Sequence, residues 1–166
     1  MPEDETVIIR EKEAKVAAEI LGIGKIDFWK ETDGLFQASP ELVSRLIINL
    51  ETFRPAFIYV THEDEAHPDH REAASLVRRA IDHWPPAVEK PVVWMYEVWT
   101  PLQKMDHIVD ITSYVDIKRK AILAYESQCA VLSFDEAILG LNRYHGEMHS
   151  WPGGDYAEVF KKMEIV

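Results

Sequence analysis

Ala56-Phe57-Ile58-Tyr59-Val60-Thr61 runs directly into His62-Glu63-Asp64-Glu65-Ala66-His67-Pro68-Asp69-His70. The first six residues are apolar or β-branched almost without interruption, the pattern of a strand buried on both faces of a parallel sheet. Pro68 then opens a helix, with Ala73, Ala74, Val77, Ala80, Ile81 and Trp84 on its inner face. Strand, polar loop and helix together predict an α/β fold, Rossmann-like and three-layered, with a mainly parallel sheet. In such sheets ligands bind at the carboxyl ends of the strands, which places function in the loop from His62 to His70.

Upstream, Val16, Ala17, Ile20 and Leu21 share one helical face ahead of Gly22 and Gly24, and Ile26 to Trp29 reads as a short strand before the Asp33-Gly34 turn. Ser39-Pro40-Glu41 supplies an N-cap, a first-turn proline and an early carboxylate for a helix carrying Leu42, Val43, Leu46, Ile47 and Leu50. Downstream, the pattern predicts strands over Val92 to Trp99 and His107 to Ile111. Helices are predicted over Val115 to Tyr125 and around Glu136 to Leu141, with a short terminal helix from Tyr156. A length of 166 residues suits one domain spanning 1–166 around one core.

The composition removes several function classes. Eighteen Lys plus Arg against twenty-nine Asp plus Glu give a net charge of -11, which argues against a nucleic-acid partner. No apolar run is long enough to span a bilayer, no signal segment is evident, and the single Cys129 cannot form an intrachain disulfide. The expectation is a cytoplasmic protein.

The loop after the buried strand holds three of the seven histidines and four carboxylates within nine positions. Imidazole nitrogen and carboxylate oxygen are ligands that Zn²⁺ accepts, and His67 and His70, three apart across a helix start, can face one cavity. A solvated acidic loop whose histidines cap the helix is the competing reading. His62 with Glu63, Asp64 or Glu65 could also contribute ligands, although neighbouring loop residues seldom converge on one ion. His145-Gly146-Glu147-Met148-His149 departs by one place from the His-Glu-x-x-His arrangement and reads as loop. Of the five tryptophans, Trp99 and Trp151 suit pocket walls. Cys129 reads as structural.

At His67-Pro68-Asp69-His70 the chain resembles the LmbE-like, PIG-L family of zinc-dependent N-acetylglucosaminyl deacetylases. The resemblance runs from Arg10 with Glu13-Ala14 and Ala17 to Gly22, through the Asp33 turn, Arg54-Pro55 and Tyr59-Val60-Thr61. It continues through Tyr96 to Pro101, Val109 to Thr112, Lys120 to Gln128 and Tyr156 to Phe160. It implies that His70 is a zinc ligand, that His67 stabilises the oxyanion, that Asp69 orients the His67 imidazole and that Arg10 holds the substrate. The implied reaction is hydrolysis of an acetyl group from an N-acetylated amino-sugar conjugate. Water made acidic by zinc attacks the carbonyl, a carboxylate takes its proton, and protonated His67 donates to the developing oxyanion.

The resemblance departs at the amino end. Family members open with a strand ending in Ala-His-Pro-Asp-Asp-Glu, which supplies two further zinc ligands and the general base; Met1-Pro2-Glu3-Asp4-Glu5 echoes it only faintly. The expectation is therefore a family fold lacking its first βαβ unit, about 30–40 residues, with an incomplete zinc site. Such a chain would leave one side of the buried strand unpaired, which dimerisation could cover. The alternative to the hydrolase is a non-catalytic remnant or interaction module of the same fold.

Overall fold

The computed structural model describes residues 3–85, 89–149 and 153–165. In chain order these form α1 (Glu3–Leu21), α2 (Pro40–Phe53), β1 (Phe57–Thr61), α3 (Pro68–Asp82), β2 (Val92–Tyr96) and β3 (His107–Asp110). A 3-10 turn (Thr112–Tyr114), α4 (Val115–Leu123), α5 (Glu126–Cys129), α6 (Phe134–His149) and β4 (Ala157–Lys162) follow. No helix among the described residues is long and apolar enough to cross a membrane.

The α/β class matches the expectation. The four strands lie in the order β1-β2-β4-β3. β1 and β2 are parallel, with Phe57 opposite Val92 and Thr61 opposite Tyr96, whereas β4 runs antiparallel to β2. The sheet is thus mixed where a mainly parallel one was expected: an apolar pattern marks a buried strand but does not encode its direction.

The chain divides into two compact units, Glu31–Ile108 with Val159–Val166, and Met1–Lys30 with Val109–Glu158. In the first, α2 begins as its sequence dictates, with the Ser39 hydroxyl accepting the Leu42 N–H and Pro40 in the first turn. It ends at Arg54 in the left-handed region (φ 44°), whose N–H caps the Leu50 carbonyl. The apolar faces of α2 and α3 close over β1 and β2 in a core of Leu50, Val60, Ala74, Val77, Ile81 and Met95, among others. This core fixes the end of β1, and with it the loop that follows.

In the second unit α1 packs on α4 and α5, and α4 on α6. The buried Glu13 of α1 accepts the Ser127 N–H at 2.7 Å and the Ser127 hydroxyl at 2.8 Å, tying α1 to the first turn of α5. That carboxylate, together with burial, pushes the Tyr125 phenol above its ordinary range, burial being the larger cause.

Four expectations are corrected. Ile26 to Trp29 forms no strand; this short segment has no ladder partner, and the Trp29 indole N–H turns back to Asp27 at 3.1 Å. β2 stops at Tyr96, short of Trp99, because the next backbone N–H groups serve a side chain described below. The terminal helix from Tyr156 is instead β4; Ala157 and Val159 are buried on either side of the half-exposed Glu158, and pairing with β2 overrides local helix preference. His145 to His149 belongs to the last turns of α6, not to a loop. The proposed Trp151 pocket wall and the Met1-Pro2 echo lie outside the described residues.

Gly146 explains how α6 continues. A Cβ there would collide with the Asp155 carbonyl and stand 2.6 Å from the Tyr156 nitrogen, so glycine is required by a close backbone approach. Gly146→Ala is expected to lower unfolding free energy by about 2 kcal/mol despite alanine's better helix propensity, because backbone cannot yield as a side chain can. Urea unfolding checks this; a stabilised variant would show that the approach is not rigid.

Candidate functional site

The loop between β1 and α3 is organised by one buried acid, Glu65, only 1% exposed. Its carboxylate accepts the N–H groups of Val98 at 2.7 Å, Trp99 at 3.0 Å and Thr100 at 3.1 Å. Burial raises this carboxyl's pKa, but the three backbone donors and His70 outweigh it and hold the group ionised, below its ordinary range. Two histidines flank it, His62 Nε2 at 3.4 Å from one oxygen and His70 Nδ1 at 3.4 Å from the other.

The two imidazoles are left in different states. His62 Nε2 is 2.7 Å from the Thr100 carbonyl, so it donates, while Nδ1 accepts the Asp64 N–H at 3.2 Å. Both its nitrogens are occupied, and Glu63 is paired with Arg78. The alternative ligand set of His62 with Glu63, Asp64 or Glu65 is therefore not assembled around His62. His70, by contrast, directs Nδ1 at Glu65, which leaves Nε2 as its lone-pair nitrogen. The backbone beneath it is fixed by the Thr61 hydroxyl, which donates to the His70 carbonyl at 2.8 Å.

His67 is the N-cap of α3: its Nδ1 accepts the Asp69 N–H at 3.3 Å, and Pro68 follows at the first helical position. The His67 and His70 rings lie 4.9 Å apart between centroids. The Asp69 carboxylate accepts the Gly34 N–H at 2.7 Å through Oδ2, while Oδ1 is buried with no hydrogen-bond partner among the described residues. Gly34, at φ 78°, makes the turn that presents its N–H and brings Asp33 beside the histidine. Asp33, His67 and Asp69 place ligand atoms within 4.8 Å of one another.

The same connection is held at two more points, since Glu72 accepts the Ala38 N–H at 2.9 Å and Arg79 donates to the Ala38 carbonyl. His67, Asp69 and His70 thus come together at the carboxyl end of β1, as the sequence suggests. Arg10 stands exposed on α1, in the other compact unit. Sequence reasoning missed the positioning roles of Glu65 and Glu72. Their signal was faint: carboxylates beside polar neighbours give no hint that backbone donors from residues 98–100 and 38 will meet them.

The family model for PIG-L, GlcNAc-PI de-N-acetylase, matches residues 1–81. Among solved structures, the conserved protein TT1542 from Thermus thermophilus is 30% identical, with a TM-score of 0.80 over 95% of this chain and 74% of that one. The 4-carboxy-2-hydroxymuconate hydratase GalB from Pseudomonas putida KT2440 is 25% identical, with a TM-score of 0.83 over 100% of this chain and 75% of that one. An N,N'-diacetylchitobiose deacetylase from Pyrococcus horikoshii shares the fold at 24% identity, with a TM-score of 0.79 over 94% of this chain and 63% of its own. The fold and the His-Pro-Asp-His loop define an α/β protein with a polar site at a strand's carboxyl end. The chain belongs to the PIG-L family.

Proposed function

We propose that this chain is a zinc-dependent hydrolase that removes an acetyl group from an N-acetylated amino-sugar conjugate. The observation carrying this reading is the disposition of His70, with Nδ1 on the buried Glu65 carboxylate and Nε2 left as a ligand nitrogen. A histidine whose second nitrogen is held by a carboxylate is the usual form of a metal-bound imidazole. The partnerless buried Asp69 oxygen beside His67 also fits a nearby cation.

His70 would hold the ion, with the carboxylates of Asp33 and Asp69 as the neighbouring donors. When bound, zinc would polarise the acetyl carbonyl and acidify a water. The remaining work falls to protein groups. Protonated His67 donates from Nε2 to the oxyanion as the carbonyl becomes tetrahedral, its ring held by the Asp69 N–H on Nδ1 in the resting state. Asp69 fixes the Gly34 turn against α3 and so holds Asp33 beside the imidazole.

GalB, a hydratase by name, supports a second reading as a hydratase of an unsaturated acid. The test measures bound zinc by elemental analysis and acetate release from N-acetylglucosamine conjugates, for wild type, His70→Ala and Asp33→Asn. Near-stoichiometric zinc lost in His70→Ala, with acetate released by wild type, is expected. Zinc lost only in Asp33→Asn moves the ion to the aspartate cluster. Water addition to an unsaturated acid without acetate release favours the hydratase, and absence of zinc and of both activities favours a non-catalytic module.

A further inference from the structure

A cavity of about 820 Å³ opens beside the start of β2 and the end of β4, where Lys90, Lys104, Lys161 and Lys162 line it together with Asp106 and Glu164. The chain has ten lysines and a net charge of -11, so gathering four of them around one cavity runs against the overall balance. None of the four has an ion-pair or hydrogen-bond partner for its ammonium among the described residues. One of the two acids in the lining is partly committed, because the Asp106 carboxylate accepts the Lys162 backbone N–H at 2.8 Å. Ammonium groups gathered around one cavity repel one another, and an anion that joins them relieves the repulsion. With four lysines against two carboxylates in its lining, the concave wall carries an excess of positive charge that attracts an entering anion.

The walls are built. Val93 and Met163 are buried in the core behind the cavity, and Arg78 holds the Glu164 carbonyl at 2.7 Å. Lys162 lies opposite Trp94 in the β2–β4 ladder. Trp94 also lines the cavity, with His107 stacked on its ring at 5.1 Å between centroids. Lysine ammoniums bind phosphate as point charges, and an indole offers a planar surface to a base. The volume lies within the range of small-molecule sites, about 300–1,000 Å³.

We infer that this cavity binds a diphosphate, either free or carried on a nucleoside. The site stands apart from the proposed hydrolytic residues, since none of its lining residues belongs to the loop from His62 to His70. Titration calorimetry of the full chain with inorganic pyrophosphate and with ADP tests it.

Saturable binding of one equivalent is expected, weakened about tenfold or more in Lys104→Gln/Lys162→Gln. The control Lys12→Gln/Lys120→Gln, which removes two exposed lysines elsewhere, should bind as wild type does. Tighter binding of ADP than of pyrophosphate, with the gain lost in Trp94→Leu, identifies the nucleotide as the source; equal binding identifies the free diphosphate. Thermal unfolding establishes that the variants fold, and protection of Lys104 and Lys162 from amine acetylation by ligand on the wild-type protein gives a readout independent of them. Absence of saturable binding overturns the inference, as does binding that ignores the Lys104/Lys162 pair and leaves both amines unprotected.

Discussion

Replacing Glu65 by alanine is expected to lower the unfolding free energy by about 3–5 kcal/mol. The wild-type carboxylate is fully enclosed and accepts three successive backbone N–H groups, from Val98, Trp99 and Thr100, while standing 3.4 Å from His62 and His70. Alanine removes the acceptor that these three N–H groups share, and each donor deprived of it costs about 1–3 kcal/mol unless water reaches it. The sum is capped because residues 97–100 can relax outward. Glu65→Gln keeps the volume and one acceptor oxygen, so about half the loss is expected. It also removes the negative partner of His70 Nδ1, and zinc affinity should fall about 10–100-fold on the proposed reading. Denaturant unfolding of the zinc-free protein and a chelator competition separate the two effects. A loss below about 1 kcal/mol for Glu65→Ala would mean that water already satisfies these donors.

The contrast between Glu65 and His70 shows what a sequence can reveal here. The place of His70 beyond the end of β1 was legible because a buried-strand pattern, a proline-opened helix and a His-Pro-Asp-His run coincide within ten residues of Thr61. Those signals are local. Glu65 organises the same loop through donors thirty-three to thirty-five positions away, and no spacing rule reports such a meeting.

The fold divides along the same line. α2, with its Ser39-Pro40 start, and β1, with its continuous apolar run, form where their residues dictate. β4 does not read as a strand, because its pairing with β2 settles a pattern that suits either state. The continuation of α6 through His145 to His149 was hidden by Gly146. Glycine ordinarily weakens a helix, and here it is demanded by the backbone of residues 155–156.

His67→Asn is the substitution expected to reduce activity most while sparing the fold. The His67 ring caps α3 by accepting the Asp69 N–H, and asparagine is among the best N-cap residues, so helix and loop should survive. Asparagine cannot deliver a proton, however. On the proposed reading kcat for acetate release should fall about 10²–10⁴-fold, with KM almost unchanged, because the lost interaction forms only as charge develops on the carbonyl oxygen. His67→Ala should lose activity to the same degree and also about 1 kcal/mol of stability with the cap. The pH–rate profile adds a readout that a purely structural role would not move. The limb that reports the protonated acid, with activity falling as pH rises, should be present in wild type and absent in His67→Asn. If His67→Asn instead retains kcat within about fivefold and keeps that limb, His67 is a cap and nothing more, and the proton donor must be sought elsewhere.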